Sequence, residues 1–447
     1  MSGPTPASLV VSAAWVVTLD DGGRVFAPGA VAVEDERLVA VGPQDEVLSS
    51  FSASQVLEYP RGLLLPGLIN AHTHAAMSLF RGLADDLPLE EWLNQHIFPA
   101  ERHLNREVVY WGTKLAVAEM LLSGTTTFCD MYLFADAVGQ AAADAGIRAV
   151  VGEVLYDFPS PNYGPVEAGL EFTESLINTW RGHPRVSVAV QPHAVYTCGP
   201  ELLGRCGELA TRHGTRLIIH LAETHTEVAD CLARYGATPV GHLHNLGLLS
   251  NRLVADHAVV LNEADLELLA AHQVSVAHCP ESNMKLASGI APVVDLLARG
   301  VPVGLGTDGC ASNNNLDLLQ EMDTAAKLQK VARLDPESLP APQALALATR
   351  GSARALGLED QVGSLTPGLL ADFIVIDLNQ PHLTPIYDPY SHLVYAAHGG
   401  DVQTVVVHGQ ILVQDRQLLA FDLAETLTKA RELARIIKNP AGCWVPA

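Results

Sequence analysis

The sequence predicts an α/β protein in which a parallel (β/α)8 barrel is joined to a small, discontinuous β-sandwich domain. Two observations predict this fold. Apolar, strand-like runs alternate with helical patterns through the middle of the chain, and β-rich runs occur at both ends, in residues 1–60 and again in "GSLTPGLLADFIVIDL" and "VQTVVVHGQILV". Strands that alternate with helices imply a parallel sheet, and eight such units close into a barrel of the TIM type.

The middle of the chain supplies the barrel strands in order. They are predicted to begin near Leu63, Gly124, Ile147, Val186, Thr215, Arg252, Gln273 and Val301. Helical patterns such as "REVVYWGTKLAVAEMLLSG" separate most of them and end near a glycine, as helix C-termini often do. We therefore place the barrel in residues 63–362. The β domain takes residues 1–62 and 363–447, and its second part includes a terminal amphipathic helix in "FDLAETLTKARELARIIKNPAG".

Composition limits the partners and the compartment. The chain has 447 residues, 48% of them hydrophobic, and a net charge of −23. This charge argues against nucleic acid and anionic membrane surfaces, which both require basic patches. The seven cysteines are scattered without a CxxC pair, so we expect no disulfide framework. A signal peptide requires basic residues near its start, and none precedes Arg24. No uncharged run is long enough to span a membrane. We therefore expect a cytoplasmic protein.

Two histidines, His72 and His74, stand where the first barrel strand ends, in "LLLPGLINAHTHAAMS". Residues i and i+2 of a strand share a face, so both imidazoles project together. Neutral imidazole is a common metal ligand. On spacing alone, a metal-binding pair and two ordinary polar loop residues are equally good interpretations.

Other predicted strands carry similar residues near their ends. They are His193 on strand 4, His220 and Glu223 on strand 5, His257 on strand 6 and Asp308 on strand 8. In a parallel barrel these ends meet at one face. Three neutral histidines and a carboxylate suit one Zn²⁺ per subunit, with Fe²⁺ as the alternative, and leave a position for water. The predicted metal ligands are His72, His74, His220 and Asp308.

Glu223 follows His220 by three residues, so it can enter the same cavity without binding the metal. A carboxylic acid in this position can move a proton to and from a substrate. A solvated loop glutamate is the alternative interpretation. We predict that Glu223 is catalytic.

Three further patterns favour other functions weakly. Gly304, Gly306 and Gly309 match the dinucleotide fingerprint, which keeps an NAD-dependent oxidoreductase as a rival, but they close the eighth unit instead of opening a βαβ fold. The pair in "HLH", His242 and His244, lacks a preceding apolar strand. The "HTE" stretch at residues 225–227 matches part of a nucleobase deaminase signature, but P-C-x-x-C is absent.

Taken together, "PGLINAHTH", "HLAET", "TDG" and "GSLTPGLLADFIVID" resemble the amidohydrolase superfamily over nearly the whole chain. Within it, "EWLNQHIFPAER" and "HCPESNMKLASGIAPV" resemble the 5-methylthioadenosine/S-adenosylhomocysteine deaminase branch. The resemblance implies a zinc-dependent aminohydrolase that converts 5′-methylthioadenosine or adenosine into the inosine analogue and ammonia. S-adenosylhomocysteine, guanine and triazines remain alternative substrates, and a non-catalytic scaffold has no need for the complete ligand set. We also expect a homo-oligomer, a dimer or a tetramer.

The same resemblance implies roles for individual residues. Glu223 would protonate the purine ring nitrogen, and His257 would orient the attacking hydroxide. Glu101 would accept hydrogen bonds from the ribose hydroxyls, His193 would contact the nucleoside, and Trp92 would pack near the 5′ substituent. The resemblance also implies that Asp308 is catalytic together with Glu223 and His257, and that Glu223 and Asp308 contact the substrate.

One departure from the branch concerns the larger substrate. Branch members that accept S-adenosylhomocysteine resemble one another in arginines after strand 3. This chain instead has "VVGEVLYDFPSPNYGPVEAGLEF", with Glu153 and Asp157 and no arginine. Those carboxylates would repel the amino-acid carboxylate if they faced the cavity. We therefore expect S-adenosylhomocysteine to be the poorer substrate.

Overall fold

The computed structural model describes residues 4–438. Its strands are β1 (Thr5–Val17), β2 (Val25–Phe26), β3 (Gly29–Glu34), β4 (Arg37–Pro43), β5 (Phe51–Pro66), β6 (Leu68–Thr73), β7 (Thr125–Tyr132), β8 (Arg148–Leu155), β9 (Val186–Val188), β10 (Gln191–Pro192), β11 (Leu217–Leu221), β12 (Leu253–His257), β13 (Ser275–His278), β14 (Val303–Leu305), β15 (Phe373–Asp377), β16 (Val402–Val407), β17 (Gln410–Gln414) and β18 (Gln417–Leu418).

Helices connect most of these strands. They are α1 (Gln44–Ser50), α2 (Leu89–Glu91), α3 (Phe98–Glu101), α4 (Arg106–Leu122), α5 (Ala135–Ala145), α6 (Val166–Trp180), α7 (Pro200–His213), α8 (His225–Tyr235), α9 (Pro239–Asn245), α10 (Glu263–Ala271), α11 (Pro280–Lys285), α12 (Val293–Ala298), α13 (Leu318–Arg333), α14 (Ala341–Ala346), α15 (Ser352–Leu356), α16 (Pro389–Tyr395) and α17 (Leu423–Lys438). Short 3₁₀ turns occur at Ala75–Phe80, Pro381–Leu383 and Gly399–Asp401, and π turns at Trp92–Ile97 and Leu347–Gly351.

Both chain ends build one β domain, as the sequence predicts. Its sheet has the order β18-β17-β16-β15-β5-β1-β3-β4, with β2 paired to β1. The two ends meet where β15 pairs antiparallel with β5, for example at Ile374 and Leu65. A separate apolar core beside the sheet combines Leu9 and Val31 from the first part with Phe373 from the second. The β domain is therefore discontinuous in sequence and continuous in structure.

The middle of the chain forms the predicted parallel barrel. Strands β6, β7, β8 and β10 form one parallel sheet, with β9 also paired to β8, and strands β11 to β14 form another. On one side, bridges such as Val190 to Leu217 join the two sheets. On the other side, the backbone N–H of Asp308 donates to the carbonyl of His72 at 3.0 Å. All eight predicted strands occur, β9 and β10 together forming the fourth, and their C-terminal ends meet at one mouth.

The first barrel strand begins later than the predicted Leu63. Residues Leu63 to Leu65 belong to β5 and pair with β15 in the β domain. Pro66 and Gly67 end that strand, and the barrel begins at Leu68. A Cβ at Gly67 would overlap the Thr126 side chain, so a glycine is needed for this close approach. One apolar run thus serves two sheets in turn, and its uniform composition conceals the point of transfer.

Several helix boundaries follow from local chemistry. The Asn105 side chain accepts a hydrogen bond from Val108 N and caps the start of α4. Gly146, Gly214 and Gly236 end α5, α7 and α8 with positive φ values of 76°, 66° and 69°. The predicted terminal helix occurs as α17, and the part of its predicted stretch after residue 438 lies outside the described residues.

Two expectations from composition can be checked in residues 4–438. Six cysteines there are free and buried: Cys129, Cys198, Cys206, Cys231, Cys279 and Cys310. The seventh, Cys443, lies outside the described residues. None of the described helices has the length and apolarity needed to cross a membrane.

Candidate metal centre and active site

Three histidines converge at the C-terminal mouth of the barrel. His72 lies on β6, His74 directly follows it, and His220 lies on β11. The ring centroids of His72 are 4.9 Å from those of both other histidines. One ring nitrogen from each histidine lies within 4.8 Å of the others, close enough for a single metal ion. The structure therefore brings together the strand-1 pair and the strand-5 histidine.

The outer ring nitrogens are held by oxygen atoms. His74 Nδ1 hydrogen-bonds to the Met131 carbonyl, and His220 Nδ1 lies 2.9 Å from the His193 carbonyl. His72 Nδ1 lies 2.9 Å from a carboxylate oxygen of Asp256. A carbonyl only accepts, so Nδ1 of the first two rings carries the proton and Nε2 presents a lone pair. Partners of this kind orient metal-binding histidines in proteins.

Asp308, on the loop that follows β14, lies beside the three histidines. Its Oδ1 lies 3.2 Å from His74 Nε2 and 3.5 Å from His72 Nε2. Its Oδ2 accepts hydrogen bonds from Ser282 Oγ at 2.6 Å and Ser312 Oγ at 2.9 Å. The Asp308 backbone has a φ of +61°, a left-handed conformation that aspartate tolerates better than most residues.

The protonation of these groups tests whether a cation fits. Burial lowers the pKa of His72, but Asp256 and Asp308 outweigh it and raise that pKa to about 10. Burial raises the pKa of Asp308, but hydrogen bonds with His72 and His74 outweigh this effect and hold that pKa well below its usual range. His72 Nε2 is buried without a hydrogen-bond partner among the described residues. A divalent cation can replace the proton between these acidic and imidazole groups, so the residues fit a metal ion.

A cavity lies next to the three histidines and Asp308. Its lining combines polar groups near the ends of the barrel strands with apolar side chains from the segment that precedes α4. The polar group comprises His74, His193, His220, Glu223, His257 and Asp308, and the apolar group comprises Leu89, Trp92, Leu93, Ile97 and Phe98. The cavity thus joins the metal-binding donors to an apolar wall.

Glu223 projects into this cavity from the turn that follows β11. The backbone N–H groups of Ala222 and Glu223 both donate to the Glu227 carboxylate, at 2.9 and 2.7 Å. This clamp holds Ala222 in a left-handed conformation, with a φ of +53°. Burial raises the pKa of Glu223, although the nearby His257 opposes the shift. A carboxyl group with a raised pKa can hold a proton and release it to a bound molecule.

The remaining predicted residues also line the cavity. Glu101 is buried at the end of α3, and burial raises its pKa to about 7 against the Tyr132 hydroxyl and His74. The Trp92 indole N–H donates to the Ala84 carbonyl at 3.2 Å. Burial lowers the pKa of His193 to about 3, so this ring is neutral. All nine predicted site residues therefore contribute to one cavity or to the donor cluster beside it.

Other site residues have no signal in the sequence that we recognised. Asp256 and Glu227 hold His72 and the Glu223 turn, and both are buried. Ser282 and Asn283 contact Asp308 and His257. Asp256 directly precedes the predicted His257 at a strand end, and this position could have indicated it. Glu227, Ser282 and Asn283 have roles that depend on hydrogen bonds formed in the folded chain, which the sequence pattern does not reveal.

The dinucleotide-like glycines have a packing explanation. A Cβ at Gly306 would lie 2.8 Å from the His72 backbone nitrogen, and one at Gly309 would lie 3.1 Å from the His74 Cβ. A Cβ at Gly304 would approach the Ser352 backbone to 2.9 Å. Glycines at these positions let β14 and its loop approach the first barrel strand, which accounts for the pattern without a nucleotide.

The acidic residues after strand 3 do not line the cavity. Glu153 accepts hydrogen bonds from Ala135 N at 2.8 Å and Asn162 Nδ2 at 3.0 Å, and Asp157 accepts from Gly199 N at 2.5 Å. Val154 and Tyr156 line the cavity instead. The suggested repulsion by these two carboxylates therefore has no support from the structure. Among the described residues that line the cavity, there is neither arginine nor lysine.

This fold and this site define a (β/α)8-barrel protein with a candidate metal site of three histidines at the C-terminal mouth and a buried carboxylate, Asp308, beside them. Residues 63–412 match the model of the amidohydrolase family. The chain belongs to that family.

Individual relatives agree with this assignment. The chain is 59% identical to a "5-methylthioadenosine/S-adenosylhomocysteine deaminase" of Syntrophobacter fumaroxidans, over 98% of this chain and 100% of the relative. An adenosine deaminase structure from Xanthomonas campestris with bound zinc superposes with a TM-score of 0.96 at 40% identity, over 98% and 100% of the two chains. Atrazine chlorohydrolase from Arthrobacter aurescens TC1, complexed with zinc, gives a TM-score of 0.87 at 27% identity, over 95% and 100%.

Proposed function

We propose that this protein catalyses metal-dependent, hydrolytic deamination of an adenine nucleoside, 5′-methylthioadenosine or adenosine. The products are the corresponding inosine analogue and ammonia. The observation that carries the proposal is the placement of Glu223, a buried carboxyl group with a raised pKa, in one cavity with the metal-binding donors. Deamination needs an activated water and a group that moves protons, and this cavity offers residues for both.

Zinc is the ion we propose, with four protein ligands: His72, His74, His220 and Asp308. Three imidazoles and a carboxylate are a donor set that zinc prefers, and two similar solved structures contain zinc. Zinc held there would supply Lewis acidity, which makes water nucleophilic near neutral pH. The role of the chain is to hold the imidazole nitrogens inward through Met131, His193 and Asp256.

Glu223 moves the proton in the proposed reaction. Its carboxyl group protonates the purine ring nitrogen while water adds to the carbon that carries the amino group. The resulting carboxylate then takes up the two protons of the added water in turn, passing the first to the departing amine and keeping the second, which restores the carboxyl group. The clamp from Glu227 keeps the Glu223 side chain inside the cavity. His257 borders the same cavity and orients the attacking water.

Three further residues of the cavity lining bind the rest of the nucleoside. Glu101 accepts hydrogen bonds from the ribose hydroxyls when it is ionised, and His193 contacts the nucleoside as a neutral ring. Trp92 packs against the 5′ substituent, because it is the largest apolar side chain that the segment before α4 contributes to the cavity. These three assignments are supported by the position of each residue in the cavity.

S-adenosylhomocysteine is a second candidate substrate, favoured by the name of the Syntrophobacter fumaroxidans relative. Its homocysteine tail adds a carboxylate, which is costly to bury without a cationic partner. The described cavity lining offers no arginine or lysine for that partner. We therefore propose that 5′-methylthioadenosine and adenosine are the preferred substrates.

The test is ammonia release from a panel of substrates by the zinc-loaded protein. The panel contains adenosine, 5′-methylthioadenosine, S-adenosylhomocysteine, guanine and a chlorotriazine, and chelator-treated protein serves as the control. Release from the adenine nucleosides that depends on zinc supports the proposal. Turnover of guanine or the triazine alone would assign the chain to another activity of the same family.

A further inference from the structure

The segment "HCPESNMKLASG", residues 278–289, forms the end of β13, helix α11 and the loop that follows. The proposed reaction gives this segment no role. Two of its polar residues, Ser282 and Asn283, are completely buried on α11. Buried polar side chains are costly unless they are hydrogen-bonded. Their partners therefore indicate what α11 contributes.

Both partners belong to the candidate site. Ser282 Oγ donates to Asp308 Oδ2 at 2.6 Å, and Asn283 Oδ1 lies 2.9 Å from His257 Nδ1. Two adjacent residues of one helix thus contact the carboxylate of the donor set and the histidine beside it. The main chain of Asn283 is itself held, because its N–H donates to the Cys279 carbonyl and its carbonyl accepts from Ser288 N.

The contact with Asn283, whose carboxamide oxygen faces the ring, indicates which nitrogen of His257 carries a proton. A carboxamide oxygen only accepts hydrogen bonds, so His257 Nδ1 must donate. In the neutral ring, Nε2 then has a lone pair. Since Nδ1 is engaged by Asn283 and the ring borders the cavity, Nε2 is the nitrogen left to act on a bound molecule.

His257 also has an unusual backbone. Its φ is +69°, and that of the next residue, Ala258, is +48°. Consecutive left-handed residues are strained, and such strain persists only where the surroundings hold it. The Ala258 N–H donates to the Leu221 carbonyl at 3.1 Å, and the Asn283 side chain holds the ring. Main-chain and side-chain contacts together define the position of this histidine.

We propose that Asn283 is a positioning residue for the deamination reaction. Its carboxamide oxygen accepts the Nδ1 proton of His257 and so keeps the Nε2 lone pair directed at the cavity, where it accepts a hydrogen bond from the attacking water. Without this partner, the ring can rotate or carry its proton on Nε2, which can then only donate. This inference rests on the proposed function, because it assigns Asn283 a part in that reaction.

The test compares two substitutions of similar size. Asn283→Leu removes the acceptor, and Asn283→Asp keeps an oxygen acceptor but has no N–H to donate. Asn283→Leu is expected to lower kcat by up to about 100-fold, as misplacement of a group that positions the reactants does, with KM and zinc content unchanged. Asn283→Asp is expected to keep kcat within about tenfold of the parent. Ser288→Ala, in the same segment, is the matched control, because the buried Ser288 hydroxyl has no partner among the described residues.

Two results would overturn the proposal. One is unchanged kcat in Asn283→Leu. The other is damage of the same size in the Leu and Asp variants, seen either as an equal loss of kcat or as loss of zinc from both. A purely structural role for Asn283 predicts this second result.

Nitrogen NMR of zinc-loaded protein with ¹⁵N-labelled histidine gives a reading that does not depend on activity. His257 signals are identified by their absence in His257→Gln. They are expected to show a proton on Nδ1 in the parent and in Asn283→Asp, and a changed pattern in Asn283→Leu. If the parent shows this proton but deaminates no nucleoside, the proposed function fails while the contact stands. If the parent carries its proton on Nε2, the inference itself is wrong.

Discussion

The two walls of the cavity are built in different ways. On the metal-binding wall, side chains leave the ends of barrel strands, and their orienting partners are backbone carbonyls or buried carboxylates such as Asp256. The covering wall, residues 89–101, consists of short helical turns and contributes mainly apolar side chains such as Trp92 and Phe98. Directional bonds specify a geometry for chemistry, whereas apolar contacts select a shape. We therefore assign the reaction to the first wall and the choice of 5′ substituent to the second.

The largest effects are expected on the metal-binding wall. His72→Ala or Asp308→Ala should remove both bound metal and deaminase activity, because each supplies one of four proposed ligands. Metal analysis and turnover are measured on the same samples. The control is His244→Ala, from the "HLH" pair that lies on α9 away from the cavity. Near-stoichiometric zinc with full turnover in either ligand variant would contradict the assignment.

Glu223→Gln separates metal binding from proton transfer on the same wall. The amide is nearly isosteric but cannot donate and accept a proton in turn, so zinc should remain while kcat falls by about 10²–10⁴-fold. Steady-state kinetics with a parallel zinc assay measure both. A loss smaller than about tenfold would mean that another group moves the proton.

The covering wall should govern discrimination at the 5′ end of the substrate. All three nucleosides share purine and ribose, so Glu223 and Glu101 cannot distinguish them. A missing charged pairing of about 1.5–3 kcal/mol corresponds to roughly 10–150-fold in kcat/KM, against S-adenosylhomocysteine and in favour of 5′-methylthioadenosine. The test is to measure kcat/KM for S-adenosylhomocysteine and for 5′-methylthioadenosine. Equal kcat/KM values would show that a cationic group reaches the tail from elsewhere.

The smallest effect concerns Glu101 and pH. Burial raises the pKa of this carboxyl group to about 7, so it is ionised above that pH and protonated below it. Since the ionised form is the better acceptor for ribose hydroxyls, KM for adenosine should rise by about tenfold between pH 8 and pH 6. A nucleoside that lacks the 2′ and 3′ hydroxyls is the control and should show no such rise. The same rise for both compounds would remove Glu101 from ribose binding.

The contrast between strand ends and irregular turns also explains which site residues the sequence can predict. Strand periodicity and the barrel rule indicated the histidines, Glu223 and Asp308, because residues at the ends of parallel strands meet whatever the loops do. Glu101 and Trp92 came only from the family resemblance, since they lie in irregular turns with no periodic signal. Asn283 and Glu227 act through contacts between elements. The sequence predicts that the first barrel strand begins at Leu63, five residues before the start of β6 at Leu68, because β5 and β6 belong to one apolar run.

Zinc titration into chelator-treated protein tests the central claim most directly, that one metal ion at the barrel mouth drives deamination of adenine nucleosides. The initial rate of ammonia release from 5′-methylthioadenosine is followed as zinc is added. The account predicts no activity at the start and a linear rise that stops at about one zinc per chain. Full activity in the metal-free protein, or a rise that continues to two zinc ions per chain, would contradict it.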